Sequence, residues 1–384
     1  MSPPNTGEPI QIISTKHLDK QEYQPYVRRS KPKKDDAKDS ESFQKIVWRN
    51  VLIFVVLHSL ALYGIWLSLS GQVTWKTLLF SLVYLSGAST GVTGGAHRLW
   101  SHKTYKAKLP FRIWLMLWQT AALQNDIHEW SRDHRAHHKF TDTDADPHNS
   151  NRGFFFCHIG WLMMRKHQDV IAKGKAIDMS DIEADPVVMW QRKYYVPLVV
   201  VLTFLLPTYI PVYFWNENLR TSFYVCIARY VLQLNGTWCV NSAAHLWGGR
   251  PYDGSINPRE NVFVSTIGYG EGWHNYHHTF PWDYKAAELG NYRLNFTTAL
   301  LNFMRYAGQV YDLKTASAEM IRKRVARTGD GSWSNGPKIE EAGDEAQAKV
   351  EGHHHKDMVW GWGDKDMAEE EMEDVRAFNN LMED

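Results

Sequence analysis

The stretch VLIFVVLHSLALYGIWLSL, residues 51–69, decides the class of fold because His58 is its only acidic or basic side chain. A helix needs about 20 apolar residues to cross the hydrocarbon core of a bilayer, so this run is long enough. Three further runs with at most one charged residue each lie at residues 77–96, 194–215 and 221–244. Buried helices of a soluble protein are the alternative, but four such runs favour a membrane. The sequence therefore predicts an all-α integral membrane protein with four transmembrane helices.

The four runs form two pairs because the links within each pair are short. Residues 70–76 and 216–220 can only turn the chain around, so the segments before, between and after the two pairs share one side of the membrane. These segments carry nearly all the Lys and Arg, including RRSKPKK at 28–34, and the positive-inside rule makes their side cytosolic. Both termini are then expected in the cytosol. Residues 1–45 are polar and charged, so no cleavable signal peptide is expected there.

Composition and charge agree with a membrane protein that has polar ends. Of 384 residues, 17 are Trp, 18 are Tyr and 16 are Phe, and aromatic rings are enriched at bilayer interfaces. Residues 340–384 contain fifteen acidic and four basic residues, a net charge of −11, which leaves +12 for residues 1–339. The basic part favours an anionic membrane surface, an anionic substrate or an acidic protein partner. The acidic end has the composition of a polar extension, and its motif WGWGD at 360–364 has no explanation in the sequence.

Histidine is concentrated in three short clusters. Eight of the 18 histidines lie in HRLWSH (97–102), HRAHH (134–138) and HNYHH (274–278), and His245 follows the fourth apolar run. By the predicted topology all nine lie on the cytosolic side, close to the membrane. Residues spaced i, i+3 and i+4 share a face of an α-helix, so each H-x-x-H-H cluster can direct imidazoles to one place. His97 and His102 are five residues apart, about 140° around an α-helix, so one of them is expected to leave the helix.

This convergence predicts a metal centre. Structural zinc takes four ligands and catalytic zinc three, so nine imidazoles are too many for one ion and suit two. Cys157, Cys226 and Cys239 are scattered and lie outside the clusters, which disfavours iron–sulfur and blue-copper sites. A two-iron, oxygen-activating centre fits best. A transport site for divalent metal is the main alternative, but transporters place ionisable ligands within their spans, and these spans have almost none.

The motifs resemble those of a known enzyme family. GAHRLWSH, EWSRDHRAHHKF, DADPHN, NSAAH, RPYD and GEGWHNYHHTFPWDY, in this order around two helix pairs, resemble the membrane-bound acyl-CoA desaturases, above all the stearoyl-CoA desaturase type and its insect relatives. The resemblance covers residues 48–330. It implies four transmembrane helices under a cytosolic helical cap that encloses a di-iron site. It also implies oxygen-dependent conversion of a saturated fatty acyl-CoA to a cis-monounsaturated one, with delta-9 the commonest position.

The resemblance also assigns roles to residues. It implies that the metal ligands are His97, His102, His134, His137, His138, His245, His274, His277 and His278, with Asn241 reaching the metal through water. It implies contacts to the CoA moiety from Asn50, Asn125, Arg132, Asp133, Arg165, Lys166 and Trp238, and a bend of the acyl tunnel at Gln124, Trp130 and Thr237. Asp133, Asp144 and Asp146 are candidate acceptors for ligand N–H groups. His128, His148 and His158 fall outside the motif positions and are not predicted as ligands.

Several expectations about partners and organisation follow from the resemblance. Neither a dinucleotide fold nor a fused cytochrome b5 motif is recognisable, so separate cytochrome b5 and its NADH-dependent reductase are the expected electron donors. The substrates are fatty acyl-CoA and O2, the location is the endoplasmic reticulum membrane, and no nucleic acid is expected. The expected domains are a disordered extension (1–45), a desaturase domain (46–330) with cap segments 97–193 and 245–330, and an acidic disordered extension (331–384). A di-iron lipid hydroxylase and a non-enzymatic membrane metal-binding protein are the alternatives.

Overall fold

The computed structural model describes residues 44–288, 294–334 and 358–383. The predicted N-terminal extension lies outside these residues except for its last two positions, as do residues 335–357 of the predicted C-terminal extension. In chain order the described α-helices are α1 (Trp48–Leu69), α2 (Trp75–Thr90), α3 (Leu109–Ala121), α4 (Ile127–Lys139), α5 (Phe154–His158), α6 (Gln168–Lys175), α7 (Ser180–Glu183), α8 (Pro186–Val199), α9 (Leu206–Trp215), α10 (Leu219–Asn241), α11 (Ala243–Leu246), α12 (Val262–Ile267), α13 (His274–Thr279), α14 (Phe296–Tyr306), α15 (Ala318–Thr328) and α16 (Glu369–Glu383).

Smaller elements connect these helices. Wide π-helical segments continue α2 through Gly91–Ser101 and α8 through Val200–Leu205. Short 3-10 turns occur at Ser150–Arg152 and Gly160–Met163. Strands β1 (Lys106–Ala107) and β2 (Val310–Tyr311) form a two-stranded antiparallel sheet. The architecture is therefore mainly helical, as predicted.

Two helical stretches among the described residues are long and apolar enough to cross a membrane, Trp48–Leu69 and Pro186–Trp215. They coincide with the first and third predicted spans. The second stretch bends, because Tyr194 has non-helical backbone angles and Pro197 lies inside the helix, where proline cannot donate a hydrogen bond. The other two predicted spans, at 77–96 and 221–244, remain predictions.

Helices α1 and α10 pack directly on each other. Gly64 of α1 permits this approach, because a Cβ atom there would lie 2.2 Å from the Tyr224 carbonyl oxygen of α10. The start of α10 is fixed by Asn218, whose side chain accepts hydrogen bonds from the Arg220 and Thr221 backbone N–H groups. Because α10 ends at Asn241, this packing positions the following segment, which contains His245, beside the other histidine clusters.

The C-terminal part differs from the expected disordered extension. In residues 358–383, Trp360, Met367 and Val375 are buried, and α16 packs with α15 in an apolar cluster that includes Val325. The net acidic charge of this segment gives no indication of its few apolar side chains. Their spacing allows α16 and the turn before it to bury them on one side. This segment is thus part of the folded body.

Candidate metal centre

The nine predicted histidines come together in two adjacent groups. The first group contains His97, His102, His134, His138 and His277, and the second contains His137, His245, His274 and His278. Within each group the candidate ligand nitrogens all lie within 4.8 Å of one another. Eight of the nine side chains belong to buried residues, and His134 is half-buried. The structure therefore separates the sequence clusters into two sites of five and four imidazoles.

The distances within each group fit ligands of one ion. In the first group the Nε2 atoms of His97 and His277 are 2.9 Å apart, and those of His102 and His134 are 2.9 Å apart. In the second group the Nε2 atom of His274 lies 3.0 Å from that of His245. Two nitrogens about 2.1 Å from one ion are about 3.0 Å apart at a 90° angle and about 3.4 Å apart at a tetrahedral angle. The observed spacing is close to that expected of imidazoles that share one ion.

Helix α4 contributes to both groups. It begins after Asp126, whose side chain accepts a hydrogen bond from the Glu129 backbone N–H and caps the helix. His134 and His138 are one helical turn apart and point to the first group, whereas His137 is rotated by about 100° from His138 and points to the second. The H-x-x-H-H pattern thus does more than concentrate imidazoles, because it divides them between the two groups.

Helix α13 repeats this division in the opposite sense. His274 and His278, four residues apart, belong to the second group, and His277 belongs to the first. The Nε2 atom of His277 lies 3.1 Å from that of His138, while His138 and His278 stack with ring centroids 4.1 Å apart. The two helices therefore face each other across the boundary between the groups.

The backbone around His97 and His102 differs from the α-helix assumed in the prediction. Residues Gly91–Ser101 form a π-helix, in which hydrogen bonds join residues five apart. His102 follows the last π-helical residue, and its backbone N–H donates to the His97 carbonyl over 3.1 Å. Residues five apart are consequently neighbours, and the two imidazole centroids are only 4.7 Å apart. His102 lies just outside the helix, yet both rings stay in the first group.

Acceptors for the other ring nitrogen, Nδ1, orient several of these imidazoles. Asp146 Oδ2 lies 2.9 Å from His137 Nδ1, Asp142 Oδ2 lies 3.3 Å from His245 Nδ1, and Glu271 Oε2 lies 2.9 Å from His97 Nδ1. A fourth acceptor is the backbone carbonyl of Trp360, which His102 Nδ1 contacts. Such contacts fix the tautomer and leave Nε2 free to bind metal.

Sequence reasoning found one of these acceptors and missed three. Asp146 was expected, but Asp142, Glu271 and Trp360 were not. Asp144 is exposed and forms no part of either histidine group, and Asp133 pairs instead with Arg132 and Lys166. The only sequence signal for Glu271 was its position three residues before His274, within a motif already quoted.

Burial sets the charge of the centre. It lowers the pKa of His102, His134, His138, His274, His277 and His278 well below the usual value, so these imidazoles are neutral and can accept a metal ion. Burial alone would raise the pKa of Asp142, Asp146 and Glu271. Nearby imidazoles and, for Glu271, Arg98 outweigh that effect, and the pKa of each carboxyl group falls below its usual value. Neutral nitrogens with ionised carboxylates around them are a suitable environment for cations.

Three histidines outside the predicted set occupy different positions. His148 lies beside the second group, with its ring centroid 4.3 Å from that of His137 and its Nδ1 3.5 Å from Asp146 Oδ1. His128 Nε2 lies 3.2 Å from Glu183, and His158 Nδ1 lies 2.9 Å from the Ser242 hydroxyl. Asn241, the last residue of α10, is half-buried.

The predicted CoA-contacting residues lie partly together. Asp133 accepts from Arg132 Nη2 over 2.9 Å and from Lys166 Nζ over 2.5 Å, which forms one charged cluster. Asn50 Nδ2 donates to the Leu162 carbonyl over 2.8 Å, and the backbone N–H of Arg165 donates to the Lys45 carbonyl over 3.0 Å. The segment 162–166 thus connects the start of α1 to the charged cluster.

Of the predicted tunnel residues, Trp130 adjoins the first histidine group, and Gln124 and Thr237 contact each other. The Trp130 ring stacks on that of His134, with centroids 4.7 Å apart, and Gln124 Nε2 donates to the Thr237 hydroxyl over 3.0 Å. Asn125 has a backbone φ of 70°, and its carbonyl accepts from Gln119. Trp238 is buried, with its ring 5.6 Å from that of Phe54. Trp130 therefore connects the apolar cluster that contains Tyr84 and Ala88 to the first histidine group.

The arrangement of two histidine groups over apolar helices defines a class of protein. The chain matches the family model described as Fatty acid desaturase over residues 74–312, and it belongs to that family. It is 54% identical to the Acyl-CoA Delta-9 desaturase of Acheta domesticus over 86% of this chain and 85% of that protein. It is 52% identical to the Acyl-CoA Delta-12 desaturase of Tribolium castaneum, over 87% and 92% of the two chains, and 52% identical to the Stearoyl-CoA desaturase of Homo sapiens, over 76% and 80%. The predicted family and the prediction of an enzyme are confirmed.

Proposed function

We propose that this protein introduces a cis double bond into a saturated fatty acyl-CoA at a centre of two iron ions. The observation that carries the proposal is the division of nine histidines, eight of them buried, into groups of five and four at metal-ligand spacing. Similar proteins are named acyl-CoA desaturases, which supports the substrate class. In the overall reaction the acyl chain loses two hydrogen atoms, and O2 takes these with two electrons and two protons to form two molecules of water.

Iron is the metal proposed for both groups. Imidazole suits iron, copper, zinc and nickel, but the five histidines of the first group exceed the four ligands of a structural zinc ion. The ligands proposed are the nine histidines, with Asn241 as a water-mediated contact to the metal. When bound, the two ions supply the oxygen-activating chemistry of the reaction. The surrounding carboxylates, Asp142, Asp146 and Glu271, hold imidazole rings in the tautomer that binds metal.

The protein's own residues bind and orient the substrate in this proposal. The cluster of Arg132, Asp133 and Lys166, with Arg165 and Asn50 nearby, provides donors suited to the phosphates and amides of CoA. Asn125 and Trp238 complete this proposed set. Gln124, Thr237 and Trp130 bound the bend that holds the acyl chain beside the first histidine group. Holding two methylene groups in one kinked conformation favours a cis product through positioning.

A four-span arrangement in the endoplasmic reticulum membrane, with both termini cytosolic, completes the proposal. Helices α2 and α10 contain most of the other two predicted spans, and their exposed apolar side chains support the four-span arrangement. On α2 they include Leu79, Leu82 and Val83, and on α10 they include Leu232. Large apolar side chains facing outward on a helix are expected where lipid is the solvent. Cytochrome b5, reduced by its NADH-dependent reductase, is the proposed electron donor, and the basic part of the chain suits an acidic partner.

The double-bond position proposed is delta-9, although related proteins carry three different positions in their names. They include Delta-9 and Delta-12 enzymes from Acheta domesticus and a Delta(11) enzyme from Trichoplusia ni. Tyr84 and Ala88 of α2 pack with Trp118 and Trp130 in a buried apolar cluster. This cluster adjoins His134 through Trp130, so it is the proposed location of the far part of the acyl chain.

Expression in desaturase-deficient yeast tests the reaction and its position together. We expect a new cis-monounsaturated fatty acid, with the double bond at carbon 9, in cells that express the chain and not in cells with an empty vector. Mass spectrometry of derivatised fatty acids locates the double bond. A monounsaturated acid with another position would correct the regiochemistry alone, whereas a hydroxylated acid would assign the chain to the hydroxylases.

Asp146→Asn is expected to weaken metal binding about 10- to 100-fold, the usual effect of losing an outer acceptor of a ligand histidine. Asp146 accepts hydrogen bonds from His137 and from the backbone N–H groups of Asp142 and His148. The N–H₂ group of an asparagine at this position would face one of these donors and could not accept its hydrogen bond. Iron content after dialysis against a chelator measures the effect. Asp144→Asn is the matched control in the same loop and should retain iron like the wild type. Equal retention by both variants would contradict the role given to Asp146.

A further inference from the structure

The motif WGWGD, unexplained by the sequence, touches a proposed metal ligand. The Trp360 carbonyl is the acceptor for His102 Nδ1, and the backbone N–H of Trp362 donates to the His102 carbonyl over 2.9 Å. The segment Trp360–Trp362, here named the C-terminal strap, therefore contacts both the ring and the backbone of one residue. Trp360 is buried, with 6% of its surface exposed.

Gly361 makes this close contact sterically feasible. Its φ is +154°, a conformation that residues with a side chain rarely adopt, and a Cβ atom there would lie 2.5 Å from the His102 carbonyl oxygen. Gly363 offers a comparison two residues later. Its φ is +81°, but a Cβ atom there would meet only Lys103 Nζ, at 3.6 Å. A side chain at position 361, unlike one at 363, would push the strap away from His102.

The strap is also attached to α4, which carries two other members of the first histidine group. The Arg135 guanidinium lies over the Trp360 ring, 3.9 Å from its centroid. Lys139 Nζ lies 2.7 Å from Asp364 Oδ2, and the Trp360 backbone N–H donates to the same carboxylate over 2.9 Å. Arg135 and Lys139 flank His137 and His138 on the helix. The strap thus joins His102 to the helix that positions His134 and His138.

We propose that the C-terminal strap is a positioning element of the first metal ion: the Trp360 carbonyl holds the His102 ring so that Nε2 points to the metal. This inference rests on the proposed two-metal centre. The strap replaces, at His102, the carboxylates that serve His137 and His245 of the second group. Its loss should therefore weaken one of the two ions and leave the other bound.

The test uses the full chain purified in detergent, as wild type, Gly361→Ala and Gly363→Ala. Iron per chain, the rate of iron release to a chelator and the thermal unfolding midpoint are measured on each. We expect two ions in the wild type and Gly363→Ala. In Gly361→Ala we expect one ion to bind about 10- to 100-fold more weakly, while the other is released at the wild-type rate. Selective loss of one ion distinguishes positioning from general destabilisation, which would affect both.

A second variant covers the case in which Gly361→Ala does not fold. Asp364→Leu removes the carboxylate that contacts both Lys139 and the Trp360 backbone N–H, without placing an atom against His102, and it should also speed the release of one ion. Release of both ions at wild-type rates from the variants overturns the strap proposal and leaves the metal centre standing. Equal acceleration for both ions also overturns it, because the strap would then act on overall stability. A wild-type chain that binds no metal overturns the metal centre and the strap together.

Discussion

His138→Ala abolishes the new monounsaturated fatty acid in desaturase-deficient yeast, down to the level of the empty vector, and removes metal from the first group. This is the expected result because the Nε2 atom of His138 lies 3.1 Å from that of His277 among five nitrogens that share one proposed ion. An alanine there leaves four ligands and a cavity beside His278, whose ring stacks on that of His138. The proposed reaction uses both ions, so we expect the whole activity to be lost. Fatty-acid analysis and iron content of the purified chain measure the two effects.

His128→Gln is the matched control for this experiment. His128 lies on the same helix and is buried to a similar degree, but its partner is Glu183, and it belongs to neither histidine group. The control should keep both the product and the iron. Unchanged product from a well-expressed His138→Ala chain would contradict the metal assignment of the first group.

Arg98→Met is expected to give the largest loss of stability, about 3–5 kcal/mol, because it leaves a buried carboxylate without its partner. The Arg98 side chain is fully buried and donates to Glu271 Oε1 over 2.8 Å, to the Tyr284 carbonyl over 2.8 Å and to the Thr298 hydroxyl over 2.9 Å. Glu271 in turn contacts His97. Thermal unfolding of the detergent-purified chain, followed by size-exclusion chromatography, measures the loss.

Two further variants identify the cause of that loss. Arg98→Met/Glu271→Gln removes the uncompensated charge and should recover part of the lost stability, which a simple loss of side-chain packing would not allow. Lys323→Met serves as the surface control, since its ion pair with Glu319 is exposed and should contribute nothing measurable. A single Arg98→Met variant as stable as the wild type would show that Glu271 is not held by this charge.

Sequence patterns identified the histidines that come together in the structure, because each cluster is local in the chain. Each H-x-x-H-H cluster lies on one helix, so the periodicity of the helix alone indicates a shared direction. The division of each cluster between the two histidine groups was not predicted, because it depends on how α4 and α13 face each other. The spacing of His97 and His102 was interpreted with α-helical geometry, and the π-helix at Gly91–Ser101 replaces that geometry with a wider turn.

The residues that sequence reasoning missed act across long distances in the chain. Glu271 contacts His97, and Trp360 contacts His102 from 258 positions away. No periodicity or motif connects such pairs, and only the folded chain brings them together. The acidic composition of the C-terminal part also pointed away from a buried role. Its few apolar residues, among them Trp360 and Val375, determine the packing, since burial depends on where side chains lie and not on average charge.

The π-helix before His102 restricts insertions and deletions in the part of the gene that encodes it. Removing one codon between those for His97 and His102 would reduce their separation from five residues to four and rotate one histidine relative to the other by about 100°. A substitution in this stretch leaves the spacing of the two histidines unchanged. An insertion or deletion between them displaces one proposed ligand at once. Natural variation here should therefore consist of exchanges of residues, while insertions and deletions collect in the loops.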